Sequence, residues 1–137
     1  MKKLKSLSII LLAVVLIFTA TACNTPEVKD NLWETATYTE NQTVGTGSKT
    51  FSVEIEAGEK SIILTVNTEK EKLGEALYEL GIINDASFFN VCIGIEANWE
   101  QDNAYWGFFV NGEMANYGVN DADLSEPATY KIAYTKI

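Results

Sequence analysis

Tyr105, Trp106, Phe108, Phe109 and Tyr117 crowd one short stretch of the chain. Such a cluster recognises by stacking and apolar contact and makes or breaks no bonds. The rest of the sequence offers little for catalysis. There is no histidine to titrate near neutral pH and no arginine to grip phosphate or carboxylate in two-pronged fashion. Cys92 lies in an alternating apolar run, where a thiol with no base beside it is a small inert hydrophobe. Glu54 and Glu56 fall on one side of a strand pattern and form a solvated surface rather than an acid and a base poised together. Asn120-Asp121-Ala122-Asp123 alternates oxygen side chains as a calcium loop does. Counting from Asp121, however, Glu126 stands where an EF-hand loop needs glycine and Ile132 where it needs its last glutamate. These residues predict no enzyme, no metal and no resident cofactor.

The second thiol, Cys23, has a different setting. Lys2, Lys3 and Lys5 precede an apolar run from Leu7 to Phe18, the charged-then-apolar order of an export signal. The stretch Ser6 to Ala22 barely reaches across a hydrocarbon core of roughly 30 Å, so a cleaved signal is expected rather than a permanent span. Ala20-Thr21-Ala22-Cys23 resembles the lipobox of bacterial lipoproteins, in which small residues give the processing enzymes access to the thiol. The resemblance implies a cut after Ala22 and acyl chains, palmitate among them, on Cys23. It also implies a chain held on the outer face of a bacterial membrane.

With residues 1–22 removed, seven basic residues face nineteen acidic ones, a net charge of 7 − 19 = −12. That charge excludes nucleic acid as a partner and disfavours an anionic membrane surface, leaving anchoring to the lipid. Cys92 is then the one remaining cysteine, so no intrachain disulfide is available.

The elements that must position the aromatic cluster follow from periodicity. Residues 24–49 are polar and end in Gly45-Thr46-Gly47-Ser48, which predicts a tether over 23–49, with Trp33 and Tyr38 either exposed or folded back. Phe51, Val53 and Ile55 alternate with polar residues as a strand does, and Ala57 to Lys60 turns the chain into a second strand over Ser61 to Val66. Thr68-x-x-Glu71 predicts a capping box. Leu73, Ala76, Leu77 and Leu80 form one helical stripe, closed by Gly81 with Ile82 or Ile83 folding back. Phe89 to Ile95 alternates again, a polar loop holding Trp99 follows, and Tyr105 to Val110 is a further strand. Asn111-Gly112 predicts a tight type I′ reversal into Glu113 to Tyr117, and Thr129 to Thr135 closes the chain. The expectation is one α+β domain over 50–137, in the order ββαββββ, with one amphipathic helix on a mixed sheet in a β-grasp-like layout.

Tyr105-Trp106-Gly107-Phe108-Phe109-Val110-Asn111-Gly112, followed by Gly118-Val119-Asn120-Asp121, resembles the DUF4430 domain over roughly Phe51 to Ile137. That family is similar to the C-terminal β-domain of transcobalamin and intrinsic factor. The resemblance implies cobalamin or another flat corrinoid as ligand, with Phe108 and Ala115 facing it. Two departures stand against a simple transfer. The helical barrel that completes the carriers has no counterpart here, and Glu126-Pro127-Ala128 replaces a glycine-aspartate pair before the last strand.

Two readings follow. One is a surface-held binding module whose Trp106, Phe108, Ala115, Tyr117, Tyr105 and Trp99 are presented to a small molecule or to a neighbouring surface or transport protein. The other is a protein-interaction or adhesion module using the same aromatics. Strand alternation puts Trp106 and Phe108 on one side and Tyr105 and Phe109 on the other, so either one set is exposed or a curled sheet buries both.

Overall fold

The alternation read over Phe51 to Glu56 becomes a strand of nine residues in the computed structural model, which describes residues 31–137. Cys23 and the segment expected to be an export signal lie outside the described residues. The described strands are β1 (Gln42–Gly45), β2 (Lys49–Ala57), β3 (Lys60–Thr68), β4 (Val91–Cys92), β5 (Ile95–Glu96), β6 (Ala104–Val110), β7 (Glu113–Met114) and β8 (Tyr130–Lys136). The main helix is α1 (Leu73–Glu79), and a single turn, α2 (Trp99–Asp102), precedes β6. Six strands make one sheet in the order β1-β3-β2-β8-β6-β7. The pairs β1/β3 and β2/β8 are parallel and the others antiparallel, so the sheet is mixed and the domain α+β.

The core lies on one face of this sheet. Val53, Ile55, Leu64, Val66 and Ile132 project onto it from the strands, and Leu73, Ala76 and Leu77 supply the helical stripe. Burial of such side chains contributes about 1.5–3 kcal/mol each, enough to seat a seven-residue helix that would not persist alone. Gly81 ends it at φ 71°, and the Ile82 amide turns back to donate to the Leu77 carbonyl at 2.9 Å.

The structure corrects the reading in three places. The chain is ordered well before Thr50. From Leu32 onward it belongs to one compact unit with the rest. Trp33 packs back, its indole nitrogen donating to the Ala57 carbonyl at 2.9 Å, while β1 extends the sheet beside β3. Gln42-Thr43-Val44-Gly45, with Val44 alone packed against the core, can do this because a parallel edge strand draws on backbone pairing with β3 and needs no hydrophobic alternation.

The capping box does not form. Thr68 is the last residue of β3, fully buried, and its hydroxyl accepts from the Lys70 amide at 3.0 Å, so the helix starts later, after Lys72. Phe89 to Ile95 is not one strand either. Ile93 and Gly94 both have positive φ, 47° and 81°, and fold it into the tight β4/β5 hairpin. The Ile93 amide donates to the Ile82 carbonyl at 2.7 Å and its own carbonyl accepts from the Thr37 amide at 2.8 Å. These two bonds and complete burial hold a β-branched residue where it would not go unaided.

Candidate functional site

The expected contact residues separate into three places. Trp106 and Phe108 face the core at 7% and 9% exposure. The Trp106 indole N–H donates to the Ile95 carbonyl at 3.1 Å, and its ring meets Tyr134 edge-on at 5.5 Å. Phe108 stacks on Tyr130 at 6.3 Å and takes Tyr117 edge-on at 6.1 Å. Tyr105 and Phe109 sit half-buried on the opposite sheet face. Trp99, 55% exposed, leans on Tyr105 at 6.3 Å, and the Lys131 ammonium lies 5.8 Å above Phe109 while pairing with Glu56 at 2.7 Å. Ala115 and Tyr117 follow β7, Ala115 partly buried against the core and Tyr117 42% exposed. One helix covers one face, which is why Phe108, expected to face a ligand, packs inward instead.

Tyr117 opens onto a cleft that the sequence reading did not assemble. It holds about 290 Å³ and is walled by Val110, Asn111, Tyr117, Tyr130 and the loop Asp121 to Ala128. The Asn111-Gly112 reversal has the positive φ values of its turn type, 54° and 86°, and Val110 pairs with Glu113 across it. The Asn111 side-chain oxygen accepts from the Thr129 amide at 3.0 Å, tying the turn to the approach of β8. The opposite wall is tied to the helix. The Leu73 amide donates to the Ala122 carbonyl at 3.0 Å and the Leu124 amide to the Glu71 carbonyl at 2.9 Å, while Lys72 and Asp123 stand 3.7 Å apart.

The cleft is electronegative. Asp121, Asp123 and Glu126 line it, and Asp123 alone of the three has an ion-pair partner among the described residues. Hydrogen bonds from Ser125, then the Lys72 charge, hold the Asp123 carboxyl below the usual range. Desolvation pushes the Tyr130 phenol up, and Tyr117, Asp123 and Glu126 add to that. Among the described residues no three of His, Cys, Asp or Glu come together as a metal-ligand group. Cys92 is fully buried and burial alone raises its thiol far above the ordinary value, which leaves no thiolate for ligation or attack. The signal for the cleft was present as the Asn120 to Asp123 run and the strand position of Tyr130. Only the fold brings the two together.

The family model described as "Domain of unknown function (DUF4430)" matches residues 63–136. A crystal structure from Ruminococcus gnavus ATCC 29149, described as a "putative metal binding protein", is similar in fold, with a TM-score of 0.59 at 17% identity. The match covers 66% of this chain and 99% of that one. No curated protein matches the sequence.

Proposed function

Since the chain belongs to the DUF4430 family, we propose that it is a non-catalytic binding module, exported and held at a bacterial surface by a lipid on Cys23. Its ligand is a small flat molecule met at the hairpin end of the sheet. The observation that carries this is the exposed Tyr117 ring over a cleft of about 290 Å³ whose walls are braced from both sides. A cleft of that volume sits at the lower end of small-molecule sites. It admits an edge or side arm of a large ligand and leaves the remainder to lie across the surface. Among flat ligands the resemblance to the transcobalamin β-domain favours a corrinoid, and the β3-β2-β8-β6-β7 order with a helix after β3 supports the β-grasp reading behind it.

The absence of histidine and arginine supports a role without catalysis. The chain enters the compact unit at Leu32, beside the β2/β3 turn where Trp33 bonds Ala57, whereas the cleft lies at the other end of β8, by Tyr130.

The test is a titration of the full chain in detergent with cobalamin and cobinamide, followed by tryptophan fluorescence and the visible spectrum. A saturable change below about 100 μM, near −5.5 kcal/mol, is expected, and Tyr117→Ala should remove it with the fold intact. No saturable change would overturn the corrinoid assignment. A second reading, contact with a neighbouring surface or transport protein, is favoured by the exposed Ile63 of β3 and the exposed Trp99 of α2, which leans on Tyr105. It predicts that Trp99→Ala abolishes partner capture and leaves ligand titrations unchanged.

A further inference from the structure

We propose that the Asn111-Gly112 turn is a self-modifying site, in which the Asn111 carboxamide converts to aspartate or isoaspartate by closing on Gly112, and that Thr129 governs the rate by holding that carboxamide. The change needs no ligand, and it alters one wall of the cleft, because Asn111 lines it.

This is the one Asn-Gly pair in the chain. Both residues are exposed, and a Cβ placed on Gly112 would meet nothing within 4 Å, so neither a side chain nor a packed neighbour screens the Gly112 nitrogen. That nitrogen gives up its proton to a solvent base and bonds to the side-chain carbonyl carbon of Asn111, while the bond from that carbon to the carboxamide nitrogen breaks and ammonia leaves. Water then opens the cyclic imide at one of its two carbonyls. Opening at the side-chain carbonyl gives aspartate, and opening at the main-chain carbonyl gives isoaspartate.

The fold opposes the first step. Asn111 Oδ1 accepts from the Thr129 amide at 3.0 Å and from the Thr129 hydroxyl at 3.4 Å, and the Asn111 amide donates to the Thr129 carbonyl at 2.8 Å. The residue is gripped at side chain and main chain alike, so its carboxamide must leave Thr129 before it can swing onto Gly112. The φ values of 54° and 86° and the pairing of Val110 with Glu113 fix the main chain of the turn at the same time. Ring closure slows steeply when the reacting atoms are held out of line. Thr129 is therefore a positioning residue that acts against reaction.

The two products differ in effect. Aspartate keeps the oxygen to which Thr129 donates and adds a negative charge beside Asp121 and Glu126. Isoaspartate runs the main chain through Cβ and lengthens a two-residue reversal, which can then no longer keep Val110 opposite Glu113. The second product loosens β7 from β6.

The experiment keeps the full chain in detergent in mildly alkaline buffer and follows position 111 by peptide mass spectrometry in heavy-oxygen water, with isoaspartyl methyltransferase reporting the isoaspartate share. Position 111 should convert before any other asparagine of the folded chain, yet at least about tenfold more slowly than in concentrated urea. Thr129→Val deletes the longer hydroxyl bond and should speed the folded chain about threefold. Thr129→Pro deletes the amide donor at a position just before β8, where proline is tolerated, and should bring the rate to within about threefold of the urea value with an unchanged circular dichroism spectrum. If Thr129→Pro does not fold, Thr129→Val decides alone. Asn111→Asp should retain amide protection across β6 and β7, and the isolated isoaspartate form should lose it. Earlier conversion at another asparagine, a folded rate equal to that in urea, a folded Thr129 variant that reacts no faster, or full protection in the isoaspartate form would each overturn the proposal. A failed corrinoid titration bears on none of these outcomes.

Discussion

Deleting the Trp106 indole strips a donor from the Ile95 carbonyl and a ring from the core, whereas deleting the Tyr117 ring removes a side chain that is half in water. We expect Trp106→Ala to cost about 3–5 kcal/mol in chemical denaturation and Tyr117→Ala less than about 1.5 kcal/mol. Equal costs would mean that Tyr117 belongs to the core and cannot be a contact residue. Cys92 gives a second prediction at this scale. Its thiol is raised in the folded state from 9.0, so the folded chain keeps the proton that the unfolded chain releases. That contribution is complete below pH 9 and is lost as pH rises above it, at up to about 1.4 kcal/mol per pH unit. Cys92→Val should flatten this alkaline slope, and the native thiol should react with Ellman's reagent only on unfolding.

At the scale of elements, the segment before β2 is where a shortened chain should fail. Starting the chain at Thr50 removes β1, bares the β3 edge and leaves the Ala57 carbonyl without the Trp33 indole. Starting it at Leu32 keeps both. The shorter chain should denature at lower urea concentration, by more than about 1 kcal/mol, and expose a strand edge prone to association. If both fragments melt alike, β1 contributes nothing.

The same elements show what could be read in advance. β2, β3, α1 and β8 were legible because half-buried strands and helices carry a period of 2 or 3.6, and the Asn111-Gly112 reversal because few other residue pairs accept both positive φ values. β1 was not legible, since backbone pairing with β3 leaves no mark on side chains. Phe89 to Ile95 misled because burial on both arms of a two-residue hairpin mimics strand alternation, and the break at Ile93 is imposed by bonds to Ile82 and Thr37, distant in sequence. The cleft suffered similarly. Tyr130, Asp121 and Glu126 are unremarkable until β8 pairs with β6 and the loop is pinned to the start of α1.

For the whole molecule, the lipid proposed on Cys23 would hold a strongly acidic domain beside a bilayer. Only nine peptide steps separate Cys23 from Leu32, against the longer tether expected from composition. The net charge of −12 expected for residues 23–137 would oppose surface contact over a Debye length of about 8 Å at physiological salt. On the anchoring proposed above, retention would depend on the acyl chains alone. Cys23→Ala should move the protein from the membrane fraction to the medium, and raising the salt should not restore it. A basic patch would behave in the opposite way, with binding that survives loss of the lipid at low salt and fails at high salt. An unchanged membrane fraction in Cys23→Ala would mean that the apolar run before it is kept and spans the bilayer. Mass spectrometry of the mature N-terminus separates the two, because an acylated Cys23 as first residue is incompatible with a retained leader.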